Sequence, residues 1–414
     1  MKNFQYLYAI LSYFLYLAVG ICEESCDTDT NEVAKIKYDT YRARAFATQV
    51  AALKNRTTGC TLKNVIVRKE WYVPWSPSCP PNPSIYPIEF LFNPSKRSTL
   101  SLSERQSYIN AVLCLQLKPS KIPNDHAPGA RSHFDDFVAT HINQTVLIHS
   151  SVSILSILSR FLSWHRYFVH VYEAALRNEC GYPGAQPYWD WSAHDATPNT
   201  NALFSDSGSI GGNGKAIVHN DTKFLIPTVP PAPVVIPAGT GGGCITTGPF
   251  VNYTVNLGPG PAPGGLEYNP RCLVRDFRPW MTNVSNTYSN VTETISLPNV
   301  TVFQETMEFT GVTVGIHPGG HGGVGGTMVD LYSSPADPAF FFHHAQIDHV
   351  WLLWQAQDFP NRTVQIGETL TFSNSPPSAP GTPNTTTDLG FLEGTYLLKE
   401  LGSTIDGPFC YIYE

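Results

Sequence analysis

The stretch from Asp337 to Gln355, DPAFFFHHAQIDHVWLLWQ, constrains the fold more than any other part of the chain. Asp337 can cap a helix, Pro338 suits a first turn, and neither Gly nor Pro recurs before Gln355. On such a helix Phe340, His344, Asp348, Trp351 and Gln355 recur at spacings of four, four, three and four, so they share one face. That face is mostly apolar yet carries an imidazole and a carboxylate one turn apart. Burying both without partners costs several kcal/mol, so the pattern predicts either mutual hydrogen bonding or a metal ion.

Two further helices present a histidine to the same interior. In RSHFDDFVATHINQ, Phe134, Phe137, Val138 and His141 fall on one side. In SWHRYFVHVYEAALRNECG, Ser163 reads as the cap, Gly181 as the terminator, and His165 as a first-turn residue sharing a face with Phe168, Val169, Tyr172 and Leu176. His149 lies between them, and the Gly-rich run IHPGGHGGVGG holds His317 and His321. Six histidines thus form two groups of three: His141, His149 and His165, then His317, His321 and His344. Neutral imidazole suits copper or zinc, and three per ion leave one position open for a small molecule. Pro318, Gly319 and Gly320 stand between His317 and His321 where a zinc protease helix carries its Glu base, which argues against a metallohydrolase.

Elsewhere, residues 28 to 54 predict a helix, and Ser101-x-x-Glu104 predicts a capping box opening another that ends near Pro119. Residues 299 to 316 alternate and predict a short strand or edge. Residues 198 to 279, rich in Gly, Pro and Thr, predict a long loop without helix, and residues 356 to 400 also read as loops. The N-terminus predicts a signal peptide over residues 1–20, followed by a single domain over 21–414. Nine cysteines and nine Asn-x-Ser/Thr sequons suit a secreted, extracellular, disulfide-bonded glycoprotein. A net charge of −7 without a basic run argues against nucleic acid as a partner, and no later segment is apolar enough to span a bilayer.

The segments FLSWHRYFVHVYEAALRNECGYPGAQPYWDWS and IHPGGHGGVGGTMVDLYSSPADPAFFFHHAQIDHVW, with the terminal CYIY, closely resemble the tyrosinase and catechol oxidase (polyphenol oxidase) family in its short secreted fungal form. The resemblance runs over roughly residues 59 to 414 and rests on WHR with PYWDW and on DPxFxxHHxxxD. It implies a mainly α fold: a four-helix bundle enclosing a dinuclear type-3 copper site, with long loops and minor β structure. It also implies two copper ions, one held by His141, His149 and His165, the other by His317, His321 and His344, with His343 not a ligand. Phe340 resembles the family's ring-packing Phe, Asp348 is expected to accept a hydrogen bond from a ligand histidine, and Glu308 to supply a carboxylate near the site. The implied activity is oxidation of o-diphenols or o-aminophenols to o-quinones with O2. Rival readings are a haemocyanin-like O2 carrier and a catalytically impaired isoform with an incomplete first site.

Departures from the family pattern sharpen those expectations. His149 and His165 are sixteen positions apart, a longer interval than the family's. The surplus near 151–158, and residues 72–98 with Cys79, look like insertions foreign to the family, of the kind left by an unspliced intron or an alternative isoform. Leu147 stands where some fungal members carry a thioether-forming Cys, so no such bond is expected. Pro318 stands where monophenol-hydroxylating members often carry Asn, which predicts weak or no monophenol hydroxylation. His349 follows Asp348 where the family usually has Arg, which places a contact to Tyr411-x-Tyr413 in doubt.

Overall fold

A computed structural model of the chain describes residues 30–71, 100–149, 160–193, 198–205, 207–220, 222–226, 232–309, 314–367 and 377–414. The expected signal peptide and the segments 72–98 and 151–158 lie outside the described residues.

The first helix among the described residues, α1 (Thr30–Leu53), matches the stretch that lacks Gly and Pro. Its Tyr38 is fully buried and meets Tyr288 at 5.4 Å. Helix α2 (Leu102–Leu117) opens on the expected reciprocal box between Ser101 and Glu104. Helix α3 (His133–Ile148) opens on a second box, between Ser132 and Asp135, and α4 (Phe161–Cys180) ends on Gly181 at φ 67°. Ser163 does not cap α4. The helix starts two residues earlier, after Arg160, so Ser163 is buried inside it and His165 falls in the second turn.

The segment from 198 to 279 is more ordered than its composition suggests. It holds a one-turn helix, α5 (Ala202–Ser205), against the expectation of none. It also holds paired strands at Gly214–Ala216 with Gly242–Ile245, Thr222–Ile226 with Ala232–Ile236, and Thr254–Val255 with Arg271–Cys272. Arg275 ties the segment to the bundle through a fully buried ion pair with Asp337. Helices α6 (Pro279–Ser285), α7 (Tyr288–Ile295) and α8 (Val300–Glu308) follow. The expected strand at 299 to 316 is thus largely helix α8, and among the described residues of that stretch the β structure is a bridge between Phe309 and Val314. The reason is visible in α8 itself: the Asn299 side chain caps it, and Val300, Phe303, Gln304 and Met307 bury one helical face.

Helix α9 (Ile316–Val324) forms despite four glycines because three of them, Gly319, Gly322 and Gly323, let α6 approach it. A Cβ at Gly322 or Gly323 would lie 2.3 Å from Met281 or Thr282. Helix α10 (Ala339–Gln355) is the central element: all its residues are buried, so it is surrounded rather than one-faced as its spacing suggests. Pro338 occupies the cap position, while Asp337 accepts the N–H of Ala339 at 2.9 Å. Helices α3, α4, α9 and α10 make the bundle. Beyond α10, the described residues between 356 and 400 form short 3-10 turns and irregular chain, with a short ladder between Thr386–Thr387 and Tyr396–Leu397. The chain ends on Tyr411–Tyr413, paired in parallel with Ile66–Arg68. Disulfides join Cys60 to Cys410, Cys114 to Cys180 and Cys244 to Cys272. Among the described residues, no helix is long and apolar enough to cross a membrane.

Candidate metal centre

Each histidine reaches the centre from a different local setting. His141 lies midway along α3, and His149 sits just past its last residue, where the backbone turns extended. His165 projects from α4, His317 and His321 from successive turns of α9, and His344 from α10. In the first trio, ring centroids are 5.0 Å (His141 to His149), 5.8 Å (His141 to His165) and 5.1 Å (His149 to His165) apart. In the second they are 4.8 Å (His317 to His321), 5.2 Å (His317 to His344) and 5.3 Å (His321 to His344). The long interval after His149 therefore does not pull that ring away. The trios face each other, with His165 stacked on His344 at 4.3 Å and His149 parallel to His317 at 6.4 Å.

Backbone carbonyls orient the rings. His141 Nδ1 donates to Tyr332 O at 2.7 Å, His165 Nδ1 to Phe161 O at 2.8 Å, and His321 Nδ1 to Met328 O at 2.8 Å. His149 Nδ1 makes a longer contact, 3.4 Å, with Thr145 O. With the proton on Nδ1, each Nε2 turns a lone pair inward. The Nε2 atoms of His141, His165 and His317 are buried without a hydrogen-bond partner. Orphaned acceptors in such numbers are rare in an interior, and two metal ions would satisfy them, so the residues fit a dinuclear centre. Burial holds the rings neutral: His141 is lowered to about 4, while His149, His165, His321 and His344 are pushed well below the usual imidazole value by burial and then by neighbouring histidines.

Two phenylalanines close the centre. Phe340 stacks on His344 at 4.1 Å and meets His141 at 5.3 Å, in keeping with the ring-packing expectation. Phe161, which sequence reasoning passed over, contacts rings of both trios: His165 at 4.5 Å and His317 at 4.8 Å. Its only signal was a position one turn before His165. Glu308, at the end of α8, places Oε1 2.8 Å from His317 Nδ1, a close contact not aligned as a hydrogen bond. Pro318 sits in the first turn of α9, where its missing N–H costs nothing.

Asp348 does something other than expected. It accepts no hydrogen bond from a ligand histidine; its oxygens take Arg166, Arg68, Tyr411 Oη at 2.6 Å and Tyr413 Oη at 2.7 Å. Burial pushes its carboxyl up, but Arg166 and Arg68 outweigh that and hold it below the ordinary carboxylate range. The carboxylate points away from the metal centre, toward arginines delivered by α4 and by the strand at Ile66–Arg68. Asp348 and Arg68 thus make the contact to the closing tyrosines, while His349 stacks on Tyr413 at 4.7 Å.

Comparison with known proteins bears on this geometry. Residues 131–357 match the family model described as the common central domain of tyrosinase. The chain is 40% identical over 338 residues to "Tyrosinase-like protein orsC" of Emericella nidulans, covering 77% of this chain and 82% of that protein. It is 32% identical over 381 residues to "N-acetyl-6-hydroxytryptophan oxidase ivoB" of the same organism, covering 86% and 94%. Among solved structures, a variant of polyphenol oxidase from Thermothelomyces thermophila superposes with a TM-score of 0.76 at 36% identity, covering 91% of this chain and 98% of that one.

Proposed function

Since this chain belongs to the tyrosinase family, whose members carry a dinuclear copper centre and act on phenols with O2, we propose that it oxidises o-diphenols or o-aminophenols to o-quinones, with weak or no monophenol hydroxylation. His141, His149 and His165 hold one copper ion, and His317, His321 and His344 the other. The observation that carries this reading is the pair of facing trios with orphaned, inward-turned Nε2 atoms. Bound copper supplies two one-electron carriers side by side, so O2 can be reduced in two-electron steps as each diphenol gives up two electrons and two protons.

The chain's own residues do the rest. The carbonyls of Tyr332, Phe161 and Met328 hold ligand tautomers, while burial excludes water and keeps imidazoles unprotonated. Two features support weak monophenol hydroxylation. Pro318 offers no side-chain donor beside His317, and the Glu308 carboxylate lies against His317 Nδ1 at 2.8 Å. Asp348 is a structural anchor in this reading, not a catalytic group. The relative whose name specifies N-acetyl-6-hydroxytryptophan favours including hydroxyindoles among candidate substrates. Secretion, signal removal and N-glycosylation complete the proposal, supported by three disulfides and the sequon-rich chain.

Oxygen uptake by the copper-loaded protein tests the reading. Catechol and o-aminophenol are expected to be consumed readily, and tyrosine slowly after a lag. Rapid tyrosine turnover without a lag would overturn the substrate preference, and reversible O2 binding without catechol oxidation would favour the carrier reading.

A further inference from the structure

Four imidazoles, not three, converge on the second metal position: His317, His321, His343 and His344 have ligand atoms within 4.8 Å of one another. Three nitrogens leave the ion an open position for a small molecule, and a fourth would occupy it. Whether His343 ligates therefore decides what the second ion can do.

Trp191 settles the question by hydrogen-bond direction. Its indole Nε1 lies 2.9 Å from His343 Nδ1, and both side chains are fully buried. An indole nitrogen can only donate. His343 Nδ1 must then present its lone pair to Trp191, which forbids a proton there and forbids the imidazolium as well. The single ring proton goes to Nε2, which is buried without a hydrogen-bond partner as the Nε2 atoms of His141, His165 and His317 are. Here that atom carries the proton and not a lone pair, so neither nitrogen retains a lone pair for a metal. His141 and His165 are wired in the opposite sense, each with Nδ1 donating to a carbonyl and Nε2 buried without a partner. His321 Nδ1 likewise donates to a carbonyl, and its Nε2 faces His344 Nε2 at 3.2 Å.

Packing gives the locked ring a second task. His343 lies parallel to His317, 11° from coplanar with centroids 5.6 Å apart, and meets His321 edge-on at 4.6 Å. Its Cε1 edge rests on Gly320 so closely that a Cβ there would be 2.3 Å away. The ring thus fills the space between α10 and α9 and sets the planes of both imidazoles that α9 contributes.

We propose that His343 is a non-ligating positioning residue, locked by Trp191 in the Nε2–H tautomer, and that this lock holds the second copper at three histidines. The proposal rests on the ligand assignment given above, but the tautomer can be read without copper.

The experiment is a long-range 1H–15N correlation spectrum of the metal-free protein labelled with 15N-histidine, with His343 assigned by the signal lost in His343→Asn. The expected pattern for His343 is Nε2–H, shifting toward Nδ1–H in Trp191→Phe. An Nδ1–H pattern in the unsubstituted protein overturns the lock, whatever the copper results. Copper titration then tests the role. His343→Leu, which strands the indole N–H, is expected to weaken one copper site by roughly 10–100-fold, as other outer-shell changes do. His343→Asn keeps an acceptor for Trp191 at the Nδ1 position and is expected to restore two ions per chain. Loss of one ion in His343→Asn would make His343 a ligand and overturn the proposal. Should the His343 variants fail to fold, the Trp191→Phe spectrum still decides: one histidine is expected to change from an Nε2–H toward an Nδ1–H pattern, and a spectrum in which no histidine changes overturns the lock.

Discussion

His165 and His344 lie face to face across the centre, 4.3 Å apart and 13° from parallel. One comes from α4 and the other from α10, so this stack joins the two trios. The same two helices carry Arg166 and Asp348, whose buried pairing fixes how the helices sit against each other. Ligand geometry and helix packing are therefore set by adjacent residues on the same pair of elements.

His149 is the proposed ligand least anchored by its own helix, because it stands past the end of α3 with a 3.4 Å contact to Thr145 O. His149→Ala is expected to lower copper from two ions per chain to about one and to abolish catechol oxidation. The affinity loss at that site should exceed the roughly 10–100-fold typical of outer-shell changes. Metal analysis after dialysis checks it, and two retained ions would remove His149 from the ligand set.

The depressed imidazoles predict how stability follows pH. A histidine held below its unfolded value binds its proton more readily in the unfolded chain, so its contribution is complete above about pH 6.5 and declines as pH falls toward the folded value. For His141 that value is about 4. Metal-free protein is therefore expected to lose stability steadily from about pH 6.5 downward, and bound copper to oppose the loss because it competes with protons for the same lone pairs. Thermal melts with and without a chelator, at several pH values, measure both effects. A melting point of the metal-free form that stays flat from pH 7 to 4.5 would contradict the burial argument.

Much of the centre is legible in the sequence because ligation demands a particular residue type at positions that helical spacing can bring together. His141, His165 and His344 share faces with Phe137, Phe168 and Phe340, and the burial this predicts is found. What the sequence conceals is direction. Asp348 lies one turn from His344, as an orienting carboxylate should, yet nothing local announces that Arg68, from the far end of the chain, will claim it. The carbonyls of Tyr332 and Met328 leave no trace in side-chain chemistry at all. In α8, nine residues are few enough that alternation and helical period fit almost equally, and the deciding Asn299 cap weighs little until the helix is seen.

Pro318 offers the cleanest handle on substrate choice. It occupies a first-turn position with no hydrogen bond to lose, so Pro318→Asn should cost only about 0.4–1 kcal/mol of stability through the unfolded chain. The new amide would stand beside His317 and within the neighbourhood of Glu308, giving the pair a donor it lacks. The ratio of monophenol to diphenol turnover is expected to rise about tenfold, the equivalent of about 1.4 kcal/mol in barrier. Parallel assays on tyrosine and on its o-diphenol check the ratio, and an unchanged ratio would show that the missing donor is not what limits hydroxylation.

Asp348→Asn separates anchoring from catalysis. Removing the charge leaves Arg166 buried with uncharged acceptors, the carbonyls of Leu401 and Gly402 and the amide of Gln355, and breaking such a pair typically costs about 3–5 kcal/mol. A large fall in melting temperature is expected. Because the native carboxyl is held below its ordinary value, its stabilisation is present above about pH 3.9 and fades as pH falls through the folded value, so the two proteins should converge in strong acid. No ligand histidine touches Asp348, so folded Asp348→Asn is expected to bind two copper ions and to oxidise catechol at a similar rate per ion. Loss of copper with little loss of stability would instead return Asp348 to the role its spacing from His344 first suggested.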